Sequence, residues 1–140
     1  MGRVFFNTRK NIKKLDAAYT VLASDSGTTF VLNAAAGAAI TLPAVGTGAA
    51  ELNEGWNCRI ITGLAFATTD WVVTATAAII AGGINELPAG TVGPYSAAAT
   101  TITIGFDSEE SIGDYIDLVC DGTKIWLSGQ SNLDAGYLLA

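Results

Sequence analysis

Residues 115–129 read YIDLVCDGTKIWLSG, and this stretch indicates the fold more clearly than any other part of the chain. Asp121-Gly122 is a dipeptide favoured in two-residue type I′ turns, and strand-like alternation of apolar residues flanks it on both sides. A hairpin closed at this turn places its apolar residues on one face. The predicted cross-strand pairs are Cys120 with Thr123, Leu118 with Ile125 and Ile116 with Leu127.

The opposite face of this predicted hairpin mixes aromatic and charged side chains, namely Tyr115, Asp117, Val119, Lys124 and Trp126. Such a mixture suits an exposed surface or a contact between subunits, where aromatic residues are enriched. Tyr115 and Trp126 are therefore the candidate residues for a subunit interface.

Outward from this hairpin, the chain is a series of short strand-like segments separated by Gly, Asp, Asn and Pro, without sustained helical periodicity. The pattern predicts an all-β fold, a compact antiparallel β-sandwich or barrel-like domain with an extended N-terminal arm. Ser24–Gly27 is predicted to turn the first two strands into a hairpin, and residues 63–93 are predicted to hold loops and a short strand. The predicted strands are Tyr19–Ala23, Thr29–Asn33, Ala39–Leu42, Trp56–Thr62, Trp71–Ala75, Thr100–Phe106, Tyr115–Cys120 and Lys124–Ser128.

Charge divides the chain into unequal parts. Residues 1–14 carry five of the seven basic residues and no acid, whereas the rest of the chain carries all 13 acids, so the net charge of −6 divides into +5 and −11. We therefore predict a basic arm over residues 1–16, a single β domain over 17–129, and a C-terminal tail over 130–140 that docks on the body or on a neighbour. The arm is predicted to bind a partner, although a solvated terminus explains the same charges. Its candidate binding residues are Arg3, Val4, Phe5, Phe6, Arg9, Lys10, Lys13 and Lys14.

Composition limits the partners and the compartment. Only 14% of the residues are charged, which is low for a small soluble monomer and favours contacts with other subunits. The acidic body is not expected to bind nucleic acid, because phosphate contacts need Lys and Arg. No apolar run approaches the roughly 18 residues of a membrane span, and no secretory signal is evident, so we expect no membrane contact and synthesis in a cytoplasm. In that compartment Cys58 and Cys120 are expected to be apolar fillers rather than a disulfide.

The residue types in this chain offer little support for catalysis or for cofactor binding. The chain has no His, which removes the commonest general base and metal ligand, and no phosphate-binding loop motif occurs. We therefore expect neither an enzyme nor a cofactor. The carboxylates of Asp107, Glu109, Glu110, Asp114, Asp117 and Asp121 leave a weak calcium site open, but their spacing is not that of a calcium loop, and a solvated acidic loop explains them as well.

Two segments resemble small virion proteins of tailed bacteriophages. One is YTVLASDSGTTFVLNAAAGAAITLPA, residues 19–44, and the other is GDYIDLVCDGTKIWLSG, residues 113–129. They resemble, in order, the patterns Asp-Ser-Gly-x-x-Phe-x-Leu, Ile-Thr-Leu-Pro and Asp-Gly-Thr-x-Trp of those proteins, and this chain departs from the last one by having two residues, Lys124 and Ile125, between Thr123 and Trp126. Together the two segments cover a little under a third of the chain.

The resemblance implies a capsid decoration protein, also called a cement protein, rather than a catalyst. Such a protein lies on the outer surface of the head as a homotrimer, binds the major capsid protein and stabilises contacts between capsid subunits. The alternatives are a tail, fibre or baseplate component and, from another class, a carbohydrate-binding module or small hydrolase. The resemblance carries no individual contact residue.

Overall fold

The structure is a computed structural model that describes residues 11–67, 69–87, 93–106 and 112–140. In these ranges the chain forms two packed β-sheets, so the predicted all-β sandwich is confirmed. The strands, in chain order, are β1 (Asn11–Leu15), β2 (Tyr19–Thr20), β3 (Thr28–Leu32), β4 (Ala39–Thr41), β5 (Asn57–Thr62), β6 (Trp71–Thr74), β7 (Ile80–Glu86), β8 (Tyr95–Ala99), β9 (Thr101–Ile104), β10 (Tyr115–Cys120), β11 (Ile125–Ser131) and β12 (Tyr137–Leu139). No helix in the described ranges is long and apolar enough to cross a membrane.

The two sheets are mixed rather than purely antiparallel, which corrects that part of the prediction. The seven-stranded sheet has the order β1-β3-β5-β10-β11-β7-β8, and the five-stranded sheet has the order β12-β9-β6-β4-β2. From β1 to β6 the chain alternates between the sheets, so β1, β3 and β5 are parallel in one sheet while β2, β4 and β6 are parallel in the other. This half of the chain winds like a short solenoid. Strand periodicity is the same for parallel and antiparallel pairs, so the sequence pattern does not distinguish them.

The predicted hairpin at Ser24–Gly27 is wrong. β2 lies in the five-stranded sheet and β3 lies in the seven-stranded sheet, and a single 3₁₀ turn at Ala23–Asp25 carries the chain between them. Asp25 caps this turn, because its Oδ2 accepts a hydrogen bond from the Leu22 N–H at 2.9 Å. The turn residues are therefore present as predicted, but they connect two layers instead of two neighbouring strands.

The last hairpin is present with a longer turn than predicted. Cys120 pairs with Ile125 and Leu118 with Leu127, so residues 121–124 form a four-residue connection. The register shifts by two residues, which keeps the same apolar side chains on the inner face. Asp121 explains the longer turn, because its Oδ1 accepts hydrogen bonds from the N–H groups of Thr123 at 2.8 Å and Lys124 at 2.7 Å.

The core lies between the two sheets and is built from the alternate residues of almost every strand. In the middle of the five-stranded sheet, Trp71 is fully buried, and its indole N–H donates to the carbonyl of Ala34 at 3.1 Å. Both cysteines are buried free thiols within this core. Other fully buried side chains include Phe30, Leu32, Ile40, Leu42, Leu52, Ile60, Ile80, Ile102, Ile104, Ile116 and Leu118.

The ends of the β domain differ from the predicted boundaries. Residues 11–15, predicted to belong to the arm, form the edge strand β1, and Leu15 is 4% exposed. At the other end, β12 pairs with β9 and Tyr137 is buried, so the segment predicted as a tail supplies an edge strand of the five-stranded sheet. The central region, residues 63–93, predicted as loops and a short strand, contains the seven-residue β7.

Candidate interaction surface

The side of the seven-stranded sheet that faces away from the core is the candidate site, and we call it the outer face. Strand registers align its side chains in three rows that run across the strands. The middle row crosses all seven strands as Ile12, Thr29, Arg59, Asp117, Ser128, Gly83 and Tyr95. The row on one side contains Asn57, Val119, Trp126 and Ala81, and the row on the other side contains Lys14, Val31, Ile61, Tyr115, Gln130 and Asn85.

Arg59 and Asp117 form a two-pronged ion pair in the centre of the outer face. Arg59 Nε donates to Asp117 Oδ1 at 2.7 Å and its terminal nitrogen donates to Oδ2 at 2.6 Å. The hydrogen bonds to Asp117 raise the pKa of the Arg59 guanidinium. The same guanidinium lies over the Tyr115 ring, 4.4 Å from its centroid. Three side chains from two adjacent strands thus hold one another in a fixed geometry, which is the type of contact that Arg makes better than Lys.

Trp126 is the largest exposed ring on the outer face. It is 49% exposed, and its cross-strand neighbour Val119 is 46% exposed. The indole N–H donates to Asp121 Oδ2 at 2.7 Å, which restrains the ring without covering it. The hydrogen bonds that Asp121 accepts, first from the Lys124 N–H and then from Trp126, lower the pKa of its carboxyl group. The turn therefore presents an aromatic side chain to solvent in a prepared orientation.

Tyr115 and Trp126, the predicted interface residues, lie on the same face but do not form one patch. Tyr115 is opposite Gln130, whereas Trp126 is opposite Val119. Four residues of strand, about 13 Å, separate the two positions. The Arg59–Asp117 pair occupies the space between them, so a partner that covers the face would meet ring, ion pair and ring in turn.

The outer face contains two shallow depressions. The first, of ≈ 450 Å³, is lined by Thr29, Asn57, Arg59, Asp117 and Ser128 among others. The second, of ≈ 480 Å³, is lined by residues that include Gly83 and Tyr95. Ser128 and Gly83 are cross-strand neighbours, so the two depressions meet at these small residues. The face can accept a protruding side chain or segment rather than only a flat surface.

The outer face of the five-stranded sheet has a different character. Its registers align Thr20, Thr41, Thr74 and Thr101 in one row across four strands. The adjacent row consists of Ala39, Val72, Thr103 and Leu138. These eight residues carry no charge and no large ring. Since Trp, Tyr and Arg supply most of the binding energy at protein interfaces, the face of the seven-stranded sheet is the stronger candidate.

The basic arm residues are divided by the structure. Lys13 Nζ forms an ion pair with Asp25 Oδ1 at 3.3 Å and donates a hydrogen bond to the Tyr19 hydroxyl, which raises the pKa of Lys13. Lys13 therefore holds β1 to the body, while Lys14 is exposed on the outer face. The other predicted arm residues lie outside the described residues, namely Arg3, Val4, Phe5, Phe6, Arg9 and Lys10.

The acidic residues considered for calcium do not form one cluster where the structure describes them. Asp117 pairs with Arg59 and Asp121 caps its turn, whereas Asp114 is buried and accepts hydrogen bonds from Asn132, including its N–H at 2.9 Å. In the described ranges no three His, Cys, Asp or Glu side chains form a potential metal site. Asp107, Glu109 and Glu110 lie outside those ranges.

Sequence reasoning missed Arg59 as a member of the candidate surface. Two features of the sequence point to Arg59. It and Lys124 are the only basic residues after position 14, and it stands between the apolar residues Cys58 and Ile60 in a strand-like segment. That alternation implies an outward-facing charge. Its partner could not be inferred, because Asp117 is 58 residues away along the chain.

Comparison with known proteins adds no relative from which a role could be transferred. No protein-family model matches the chain, and no curated protein matches it.

Proposed function

We propose that this protein is a structural component of a bacteriophage virion, a capsid decoration protein that binds the outer surface of the head and strengthens contacts between major capsid proteins. The resemblance of residues 19–44 and 113–129 to phage virion proteins supports this role. The role requires binding surfaces and multivalent attachment rather than catalysis, because many weak contacts add up on a repeating lattice.

The single observation that carries the proposal is the outer face of the seven-stranded sheet. Trp126 is restrained by Asp121, and Arg59 is restrained by Asp117 and Tyr115, so the side chains that dominate protein interfaces are fixed before a partner arrives. Fixed side chains lose little conformational entropy on binding. We propose that this face contacts protein on the head, either the major capsid protein or an adjacent copy in a homotrimer.

The test uses undecorated heads assembled from the cognate major capsid protein. Purified protein is mixed with the heads, and occupancy is measured by co-sedimentation and cryo-EM. We expect Trp126→Ala and Arg59→Ala to lower occupancy at least tenfold, because truncation of an interface hot spot costs about 2 kcal/mol or more. Thr103→Ala, on the outer face of the other sheet, is the matched control and should bind normally.

Failure of the unaltered protein to bind heads would overturn the proposal. Normal binding by both outer-face variants would leave the role intact but exclude this surface. The runner-up role is a tail, fibre or baseplate component, which has a few copies per particle instead of the hundreds expected for a decoration protein. Quantitative mass spectrometry of purified particles separates these two roles.

A further inference from the structure

A composite groove lies at the rim of the sandwich where β2 ends and β3 and β5 begin. One part is apolar, has a volume of ≈ 560 Å³ and is lined by residues that include Leu22, Leu42, Pro43 and Ala50. The adjoining part, of ≈ 300 Å³, is lined by Ala23, Ser26, Glu51, Asn53, Glu54, Gly55 and Trp56. Ala23 belongs to both parts, so an apolar floor continues into an acidic one. We call the two together the rim groove.

Each end of the rim groove has one residue whose surroundings within the fold are unfavourable. Leu22 is 54% exposed at the apolar end. At the acidic end Trp56 is 4% exposed, and its indole N–H has no hydrogen-bond partner within the described residues. An unsatisfied buried donor costs roughly 1–3 kcal/mol, so Trp56 marks the acidic end as a place where the fold leaves a polar group without compensation.

The N-terminal segment of the chain has the complementary pattern. Residues 4–10 read VFFNTRK, three apolar side chains followed after Asn7 and Thr8 by Arg9 and Lys10. In an extended segment Phe6 and Arg9 are about 10 Å apart, so the apolar triplet and the two cations reach different positions along a groove. The apolar triplet suits the apolar part, and the two cations suit the carboxylates of Glu51 and Glu54.

β1 begins at the rim of the sandwich that holds the rim groove. Asn11 pairs with Thr28, the first residue of β3, so the chain enters the domain at the same rim. From Asn11 back to Phe5 an extended chain reaches about 20 Å. Such a segment can bridge from the rim of one copy to the rim of a copy beside it.

We propose that the rim groove receives residues Val4–Lys10 of a neighbouring copy of this chain. The choice of a neighbouring copy rests on the proposed function, which places copies side by side on a lattice. Segment exchange then links the bodies to one another and gives the basic arm a partner other than the major capsid protein. The outer face of the seven-stranded sheet remains available for the head.

Disulfide trapping in the full-length protein, without heads, tests this proposal. Tagged Phe5→Cys protein is mixed with untagged Leu22→Cys protein under mild oxidation, and mixed dimers are quantified on a non-reducing gel. The native thiols are buried and do not compete. We expect the mixed dimer to form, whereas Leu138→Cys, an exposed leucine (39%) on the other sheet, should give none above background. Circular dichroism confirms that each variant is folded.

A second arm of the experiment tests the acidic part of the groove. Adding Glu51→Gln or Glu54→Gln to the Leu22→Cys protein should lower the yield by about 1.5- to 5-fold per carboxylate, the range of exposed ion pairs. The Phe5→Cys/Leu22→Cys double variant separates two geometries, because a cross-link within one chain shows that the segment binds its own body and overturns the proposal. Absence of any Leu22 cross-link also overturns it. Since no head is present, these outcomes leave the test of head binding independent.

Discussion

Replacing Asp25 with Ala should be among the most destabilising single polar changes in this protein. Asp25 is 9% exposed and its carboxylate accepts hydrogen bonds from the Tyr19 hydroxyl at 2.8 Å, the Leu22 N–H at 2.9 Å and Lys13 Nζ at 3.3 Å. Three bonds of about 1 kcal/mol each, one of them charged on both sides, give a loss of roughly 2–4 kcal/mol. For a domain of this size that loss lowers the Tm by roughly 6–12 °C.

The pH dependence of this effect has a definite sign. Burial alone would raise the pKa of Asp25, but the hydrogen bonds from Leu22, Tyr19 and Lys13 outweigh it and lower the pKa below its ordinary 3.8. A carboxyl group with a lowered pKa contributes stability above its unfolded-state pKa, and this stability is lost as the pH falls through the folded-state pKa. The difference in Tm between the unaltered protein and Asp25→Ala should therefore be constant near neutral pH and shrink below pH 3.8.

Calorimetry from pH 2.5 to 7 measures both quantities. Asp25→Asn, which keeps the shape and one acceptor, should lose about half as much stability as Asp25→Ala. Ser24→Ala, an exposed change in the same turn, is the control and should leave the Tm within about 1 °C, as for ordinary surface substitutions. Hydrogen exchange of the β1 amides should accelerate in Asp25→Ala, because Lys13 lies on that strand. An unchanged Tm at pH 7 would refute the reasoning that this carboxylate ties β1 to the body.

Three further changes test other parts of the fold. Gly122→Val should cost about 1–3 kcal/mol in urea denaturation, because Gly122 has a φ of +87°, and Gly122→Asn should restore most of that loss. Gly82→Ala should cost more than about 3 kcal/mol or prevent folding, since a new Cβ would lie 2.0 Å from the backbone oxygen of Leu127; a midpoint near that of the unaltered protein would contradict the close approach of β7 and β11. Glu86→Gln should raise the Tm at pH 7, because burial, followed by the nearby Asp134, raises the pKa of Glu86 and makes its charged form unfavourable in the folded protein. The gain in Tm should disappear below pH 4.5, where Glu86 is protonated in both the folded and the unfolded state. A gain that persists there would contradict this origin.

The last hairpin shows how far local sequence patterns go. Alternation correctly assigns Ile116, Leu118 and Cys120 to the buried face, because a strand exposes every second residue to the same side. The turn length was wrong by two residues because Asp121 bonds to two later N–H groups and extends the connection. A register error of two residues leaves the face assignment intact, whereas an error of one would have reversed it.

Local sequence patterns do not predict which strands pair when they are far apart in the chain. Nothing near Ser24–Gly27 indicates that the chain crosses to the other sheet, because the same turn residues suit a hairpin and a crossing. The Arg59–Asp117 pair depends on the antiparallel register of β5 with β10, and four strands, two from each sheet, lie between these two strands in the sequence. The candidate surface could therefore be predicted in its aromatic members, Tyr115 and Trp126, but not in its central ion pair.

The order of the seven-stranded sheet has a consequence for how the protein is made. β10 and β11, which are close to the C-terminus, lie in the middle of this sheet between β5 and β7. Until they leave the ribosome, both of those strands present an unpaired edge, and exposed edges invite pairing with other chains. The β10–β11 hairpin can form quickly on its own contacts, whereas every parallel pair requires the chain to cross the sandwich and return. β10 and β11 thus connect the two halves of the seven-stranded sheet, and a nascent chain interrupted before residue 115 holds β1, β3 and β5 apart from β7 and β8, with neither connecting strand to pair with them.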